Sequence, residues 1–447
     1  MFNKKALTLV FTLVMLSFLA LAGCSSSGSD EEANGSNESS DSGESSGEQV
    51  TIDFMHLWPE GSSKAQYTIV DDIIKSYEKE NPNVKIKTEI LANEQYKDKI
   101  KVLAASNELP DVGITWAAGY LQPFVEGNMF TPLDDIIESD FKDSFVSGTT
   151  EAFALEDTTY GLPLELNITP VYYNKEIFEQ NNLEVPQTYD EFLNVVQTLV
   201  DKGITPITVG NKDAWTGSMW YMYLADRIGG PSALNSAIDR SGSFEDEALV
   251  KAAEEIKKLV DMDAFVKGFN GLSNDEAKGY FMNEQAAMYL MATWELPNYT
   301  TSPDVSDEFK EKVGYFKFPT YDGGKGDIDS FVGGPGVGLF VAEDSQVKEE
   351  AKKFVSYLVK EWGKHSVTDA GVIPATKVDT SNIDLDQMYI DILEDLNNAS
   401  NLTLYADVQM SPGVAQVHLD MIQALFGGQV SPEEFAKKQE EALADEE

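Results

Sequence analysis

The chain has few of the residues on which disulfide, metal and nucleic-acid chemistry depend. Its 447 residues include one cysteine and three histidines, and 76 acidic residues outnumber 33 basic ones, so the net charge at pH 7 is −43. One cysteine cannot form a disulfide within the chain, so stability must come from a hydrophobic core. Nucleic acid is excluded as a partner because phosphate binding requires a basic surface.

Motifs for enzymatic chemistry are also missing. His56, His365 and His418 lie far apart in sequence and do not form the His-Glu-x-x-His pattern of zinc enzymes. No Gly-x-Ser-x-Gly elbow accompanies a suitable histidine. The glycine-rich stretch 333–336 lacks the following Lys-Ser/Thr of a phosphate loop. We therefore expect a protein that is not an enzyme and that has no metal site, no cofactor and no catalytic residues.

The amino terminus carries an export signal. Two lysines within residues 1–5 precede a short apolar stretch, and Leu21-Ala22-Gly23-Cys24 follows. This pattern is typical of a secretory signal, and the apolar stretch is short for a permanent membrane span. Leu-Ala-Gly-Cys resembles the lipobox of bacterial lipoproteins, which implies a signal peptide at 1–23 and a lipid on Cys24 as the sole attachment to the extracellular face of the cell membrane. The alternative is an ordinary secretory signal with an incidental cysteine.

A polar segment follows the lipobox. Residues 25–48 are Ser, Gly, Asn, Asp and Glu with a single alanine. Such a composition cannot bury enough apolar surface to fold. We therefore predict that residues 24–49 are a lipidated cysteine followed by a disordered acidic tether.

Strands and helices alternate from residue 50 onward. Apolar residues predict strands at 50–55, 84–87 and 111–115, with single helices at 64–79 and 94–106 between them. Strands separated by single helices indicate a parallel α/β sheet. Ligands of such sheets lie beyond the carboxyl ends of the strands, which selects residues 56–60 and Trp116. Farther along, Thr188 and Glu191 have the spacing of a helix capping box.

Several motifs occur together in a familiar order and spacing. They are Leu109-Pro110-Asp111-Val112, Thr115 to Leu121, Phe130 to Asp134, Tyr160-Gly161-Leu162-Pro163, Tyr172 to Phe178, Pro186 to Phe192, Phe281 to Met288 with Trp294, and Gly371-Val372-Ile373-Pro374-Ala375. In this order the sequence resembles extracellular solute-binding proteins of the maltose-binding class (family 1). The resemblance spans nearly all of residues 50–440.

The resemblance implies a type II periplasmic-binding-protein-like fold, in which two α/β lobes are joined by hinge crossings and close on a ligand. Lobe 1 would comprise 50–162 with 314–360, and lobe 2 would comprise 163–313 with 361–447. The implied function is capture of a sugar, most simply an oligosaccharide, and its delivery to the permease of an ABC transporter. The protein is expected to be a monomer.

Sugar recognition requires aromatic rings for the apolar face of the sugar and carboxylate, amide or backbone groups for its hydroxyls. The resemblance places Trp116 and Trp294 as stacking rings and Glu165 as a ligand carboxylate, with Asn167 in the same turn. Trp58 is a further candidate because it follows a strand, Trp215 because it lies in a loop-like stretch, and Glu295 because it neighbours Trp294. Gly333 and Gly334 are candidates because a glycine-rich loop would let their backbone approach the sugar. Trp220 and Trp362 are predicted to pack in the core.

Other functions remain open at this point. The acidity leaves a peptide, a polyamine or another cationic solute as an alternative ligand, although a solvated acidic surface suited to a saline or alkaline medium explains it as well. Tryptophans and paired carboxylates also occur in glycoside hydrolases, which is the weaker alternative.

Overall fold

The computed structural model describes residues 49–446. The predicted signal peptide, the lipobox with Cys24 and the predicted tether up to residue 48 lie outside these residues. Between residues 49 and 446, no helix is both long enough and apolar enough to cross a membrane.

Strands and helices alternate along most of the described chain. The strands are β1 (Val50–His56), β2 (Val84–Ile90), β3 (Val112–Thr115), β4 (Ala154–Leu155), β5 (Thr158–Thr159), β6 (Leu162–Pro163), β7 (Leu166–Ile168), β8 (Val171–Asn174), β9 (Ile207–Thr208), β10 (Met288–Leu290), β11 (Val313–Phe316), β12 (Ser330–Pro335), β13 (Gly338–Val341) and β14 (Asn401–Thr403).

The helices are mostly amphipathic and cover the sheets. They are α1 (Lys64–Glu80), α2 (Asn93–Ser106), α3 (Ala118–Glu126), α4 (Asp134–Asp140), α5 (Lys175–Gln180), α6 (Tyr189–Asp201), α7 (Trp215–Gly229), α8 (Ala233–Ile238), α9 (Glu247–Asp261), α10 (Asn274–Met282), α11 (Asp307–Lys312), α12 (Lys348–His365), α13 (Gln387–Asn397), α14 (Ala406–Gln409), α15 (Pro412–Phe426) and α16 (Pro432–Ala444). Short 3-10 turns include Thr293–Tyr299.

The first sheet confirms the predicted parallel arrangement. Strand β1 pairs in parallel with β2, where Ile52 lies opposite Ile86, and with β3, where Phe54 lies opposite Val112. Helices α1 and α2 connect these strands, as the apolar spacing predicts. The sheet order is β2-β1-β3-β13-β6, so two antiparallel strands from much later in the chain complete it.

The remaining sheets are small and mixed. One has the order β11-β8-β10-β9, another has the order β14-β12-β7, and β4 pairs with β5. The predicted capping box of α6 is confirmed, because the Glu191 amide donates to Thr188 Oγ1 and the Thr188 amide donates to the Glu191 carboxylate.

Buried apolar side chains form two clusters. The first cluster includes Phe54, Tyr96 and Trp362 around the first sheet, and the second cluster includes Trp220 and Phe318 around the smaller sheets. Trp220 and Trp362 are therefore core residues, as predicted. The resemblance assigns residues 314–332 to lobe 1, but their buried side chains pack in the second cluster.

A buried arginine ties the second cluster together. Arg227 on α7 donates hydrogen bonds to the carbonyl oxygens of Phe318, at 3.0 Å, and Ser330, at 2.9 Å. Its guanidinium also pairs with Asp226 and lies 5.2 Å from the centre of the Tyr223 ring. Arg227 is fully buried, and its hydrogen bond to Ser330 joins α7 to β12.

Candidate ligand-binding site

One cavity of about 180 Å³ is bounded by both buried clusters. Trp58 and Val337 of the first cluster and Met219 and Tyr405 of the second cluster are among its walls. The expectation that a ligand lies beyond the carboxyl ends of the parallel strands selects this region, because the segment after β1 and the residue after β3 both reach the cavity. Four of the six tryptophans line it, namely Trp58, Trp116, Trp215 and Trp294.

Trp116 lies directly after β3 and is partly exposed. The edges of Tyr96 and Tyr120 pack against its ring, with centroids at 6.1 Å and 4.9 Å. The ammonium group of Lys97 lies 5.1 Å from the ring centre. The ring is thus held by aromatic neighbours and still borders the cavity.

Trp215 and Trp294 form a second aromatic wall. Their rings meet edge-on with centroids 5.9 Å apart, and Trp294 also contacts Tyr405 at 5.8 Å. Both tryptophans are partly exposed. Trp215 is the first residue of α7 and not part of a loop, so that expectation is wrong, and its indole N–H donates to Glu94 at 3.2 Å.

Trp58 is held much more tightly than the other three cavity tryptophans. Its exposed fraction is 4%, and its ring stacks on Trp362 with centroids 5.1 Å apart. One face of the ring is therefore covered by the core. Trp58 lines the cavity only with what remains of its surface.

Glu165 is a buried carboxyl in the wall of the cavity, and no lysine or arginine within residues 49–446 forms an ion pair with it. It is 3% exposed, and its Oε1 atom has no hydrogen-bond partner within the described chain. Burial raises its pKa to about 7, and the nearby side chain of Asn167 opposes this shift. A buried carboxyl without a partner is destabilising, so this group is suited to a ligand hydroxyl.

Asn167 lies behind Glu165 and does not line the cavity. Its Oδ1 atom accepts a hydrogen bond from Thr293 at 3.0 Å, and its Nδ2 atom has no partner within the described chain. A Cβ atom on Gly336 would lie 2.6 Å from that Nδ2 atom. Glycine at 336 is therefore required for the close approach of this backbone to Asn167, and Gly336 itself lines the cavity.

Gly333 and Gly334 lie in strand β12, so the expectation of a glycine-rich loop there is wrong. They pair with Ile168 and Asn167 of β7 across an antiparallel ladder, and neither lines the cavity. A Cβ on Gly333 would lie 2.2 Å from the Asn167 carbonyl oxygen, so this glycine permits close strand pairing.

Glu295 is buried and already engaged. It pairs with Lys278 at 3.2 Å and accepts a hydrogen bond from Asn298 at 2.7 Å. Lys278 in turn donates to the carbonyl oxygen of Ser62 at 3.2 Å, and nearby acidic groups raise its pKa against the effect of burial. Glu295 therefore orders this wall of the cavity.

The cavity is close to electrically neutral although the protein is strongly acidic. Its lining contains four acidic and three basic side chains, namely Glu165, Asp275, Glu295, Asp407, Lys64, Lys97 and Lys278. Burial raises the pKa of Glu165 to about 7, which reduces its negative charge near neutral pH, and it also raises the pKa of Asp407. The surplus of acidic groups thus lies elsewhere in the chain.

The model of the family described as bacterial extracellular solute-binding protein matches residues 60–363. The chain belongs to this family. Its membership confirms the prediction of a binding protein that is not an enzyme.

This binding protein aligns with similar proteins over most of its length. It is 25% identical over 316 residues to the multiple sugar-binding protein of Streptococcus mutans, covering 70% of this chain and 71% of that one. A solved structure from work on xylan utilization by the thermophilic bacterium Caldanaerobius polysaccharolyticus is 34% identical, with a TM-score of 0.83, and covers 88% of this chain and 99% of that one. A chitin oligosaccharide binding protein has the same TM-score at 24% identity, covering 89% and 99%. The predicted periplasmic-binding-protein fold is confirmed.

Sequence reasoning missed several lining residues of this solute-binding protein. Tyr405 and Asp407 follow β14, and the strand-end rule would select them, but a three-residue strand leaves no alternation to detect. Lys97 and Lys278 lie on helices that also carry exposed charged residues, so they look like surface lysines in the sequence. Their approach to the cavity is decided by how α2 and α10 pack.

Proposed function

We propose that this solute-binding protein captures a carbohydrate, most simply an oligosaccharide, in the tryptophan-lined cavity. The observation that supports this is the convergence of Trp58, Trp116, Trp215 and Trp294 with the unpartnered carboxyl of Glu165. Rings bind the C–H faces of a sugar, and a buried polar group gains most from a ligand hydroxyl. The multiple sugar-binding protein of S. mutans and the structure from the xylan-utilization study support a sugar for this chain also.

A neutral ligand is favoured over a polyamine or a charged peptide. Lys278 is paired with Glu295, and Lys64 is paired with Glu60, so neither is left to attract an anion. Asp275 also pairs with Lys278, and burial raises the pKa of each of the other two carboxyl groups, Glu165 and Asp407. A cationic ligand would instead be expected to meet ionised carboxylates without paired lysines among them.

We infer that the two buried clusters correspond to two lobes that close on the ligand. The clusters suggest that one chain crossing lies between Val332 and Val337, later than the family resemblance implies. Two hydrogen bonds join opposite walls of the cavity, from Gln66 to the Trp294 carbonyl and from Lys278 to the Ser62 carbonyl, both at 3.2 Å. These bonds would break when the lobes separate, so they favour the closed state.

We further propose that Cys24 carries a lipid that holds the protein on the extracellular face of the membrane, and that the closed form docks on an ABC transporter permease. The sequence Leu21-Ala22-Gly23-Cys24 supports the anchor. Mass spectrometry of the mature amino terminus is expected to show a diacylglycerol-containing Cys24. An unmodified cysteine, or cleavage elsewhere, would contradict the anchor and leave the ligand proposal standing.

The ligand class can be tested directly by calorimetry. We expect the purified protein to bind one class among xylo-, chito- and malto-oligosaccharides in a one-to-one complex, because one cavity contains all the rings. Spermidine and a basic tripeptide are the controls for the cationic alternative and are expected to give no heat beyond dilution. Binding of spermidine or the tripeptide with no response to any sugar would refute the carbohydrate proposal.

A further inference from the structure

A serine and a histidine from distant parts of the chain meet beside the cavity. Ser218 lies on α7 and His418 lies on α15, and Ser218 Oγ is 2.7 Å from His418 Nε2. Their exposed fractions are 1% and 0%. The protein thus buries a hydroxyl and an imidazole together, although their positions are 200 residues apart in sequence.

Ser218 belongs to the face of α7 that borders the cavity. Trp215, Ser218, Met219 and Met222 line it, at the three- and four-residue spacing of one helix face. Among these four side chains only Ser218 carries a hydroxyl. It is therefore the group through which α7 can form a directed hydrogen bond to a hydroxylated ligand, since the Trp215 N–H is already donated to Glu94.

His418 is held in its neutral form. Burial lowers its pKa to about 4, and the side chain of the buried Gln439 opposes this shift. Aromatic rings of Tyr221 and Phe435 surround the imidazole, with centroids at 6.3 Å and 6.5 Å. A neutral imidazole has one N–H donor and one acceptor. If Nε2 accepts the Ser218 proton, the hydroxyl can only accept a hydrogen bond from the ligand. If Nε2 donates to Ser218 Oγ, the hydroxyl keeps its proton to donate to the ligand.

The pair is not arranged as a hydrolytic centre. Within the part of the chain that the structure describes, no carboxylate partners His418 Nδ1, and Gln439 is the polar side chain beside the ring. The Ser218 amide is bonded to the Ala214 carbonyl within the helix, so it is not free to stabilise an oxyanion. The arrangement is suited to orienting a hydroxyl.

We propose that Ser218 binds a ligand hydroxyl and that His418 is a positioning residue that sets the orientation of the Ser218 hydroxyl. This inference rests on the proposed capture of a carbohydrate in the same cavity. A site that hydrogen-bonds a particular hydroxyl discriminates against analogues that lack it, because its own polar group is then left unpaired. Ser218 therefore determines specificity at one point of the ligand.

The first test is calorimetry of the full protein with xylotriose, chitotriose and maltotriose. For whichever of these sugars the wild type binds, Ser218→Ala is expected to weaken binding about tenfold. Ser366→Ala removes a buried hydroxyl that does not line the cavity and is the matched control, expected to leave affinity unchanged. His418→Gln keeps a hydrogen-bonding group near Ser218 and is expected to retain most of the affinity, whereas His418→Leu should resemble Ser218→Ala.

The second test observes the imidazole itself. With three histidines in the chain, a ¹⁵N-histidine spectrum is simple, and the His418 signals are those lost in His418→Gln. The bound sugar is expected to shift the His418 signals in the wild type but not in Ser218→Ala, and to leave exposed His365 unchanged. A purely structural histidine would show no such dependence on Ser218.

Two results would overturn the inference, and they differ. If the wild type binds one of the three sugars and Ser218→Ala binds it equally well, the assignment of Ser218 is wrong while carbohydrate capture stands. If the folded wild type binds none of the three sugars, in calorimetry and in the spectrum, carbohydrate capture of this class fails and the role of Ser218 fails with it.

Discussion

Trp294→Ala is expected to weaken sugar binding by about 50- to 100-fold while the protein remains folded. The ring is partly exposed in the cavity, meets Trp215 edge-on and contacts Tyr405 at a tilt, so it stacks on neither of them. A sugar ring stacked on an indole covers about 100 Å² of apolar surface, which at roughly 25 cal/mol/Å² corresponds to about 2.5 kcal/mol. The hydrogen bond from Gln66 goes to the Trp294 carbonyl, so the substitution leaves that link between the cavity walls available.

Trp220→Phe is the matched control for this prediction, because Trp220 is fully buried in the second cluster and does not line the cavity. It is expected to lower the free energy of unfolding with little change in affinity, and Trp294→Ala should show the opposite pattern. Calorimetric titration and thermal unfolding of both variants measure the two quantities. If Trp294→Ala lost stability and kept its affinity, the ring would be a core residue and the stacking role would be wrong.

Glu165→Gln is expected to make the protein more stable than the wild type above pH 8, by about 3 kcal/mol. The pKa of Glu165 is raised to about 7 in the folded state from about 4.5 in the unfolded state. Between these values the folded protein keeps a proton that the unfolded chain has lost, so the contribution of this group to stability is present below about pH 4.5 and is lost as pH rises through 7. A shift of about 2.5 pKa units corresponds to about 3 kcal/mol.

Urea denaturation of the wild type and Glu165→Gln at pH 5 and pH 8.5 tests this prediction. The buried His56 and His418 have pKa values lowered to about 4, so both proteins gain stability as pH rises towards 6.5. This contribution is common to both proteins and cancels in the comparison. Exposed Glu184 provides the control substitution Glu184→Gln, expected to follow the wild type at both pH values. A constant difference between wild type and Glu165→Gln at the two pH values would show that Glu165 is hydrated in the folded protein.

If Glu165→Gln stabilises the protein, the wild-type carboxyl lowers stability and has a functional reason to be there. Buried polar groups without partners are expected at functional sites, because the ligand supplies the missing partner. Above pH 8, where Glu165 is ionised, we expect the glutamine variant to bind sugar more weakly even as it unfolds less readily, since a carboxylate is the stronger acceptor for a hydroxyl. Stability and ligand affinity would then change in opposite directions at one residue.

The sequence by itself determined the class of the fold and much of one wall of the site. Apolar spacing located β1, β2, β3 and the helices between them, because the pattern of apolar residues alternates between strand and helix spacing along this part of the chain. The strand-end rule then selected Trp116, which lies against the cavity. The absence of the His-Glu-x-x-His and Gly-x-Ser-x-Gly motifs argued against catalysis, and family membership confirmed that expectation.

Only the tertiary structure decided which side chains share the cavity and which lie behind it. Gly333, Gly334 and Asn167 are used in strand pairing, whereas Gly336 reaches the cavity. Strands β7 and β14 have three residues each, too few for a periodic signal, so their registers depend on long-range pairing. Ser218 and His418 meet because α7 and α15 pack together, and local sequence patterns cannot encode a contact between residues so far apart in the chain.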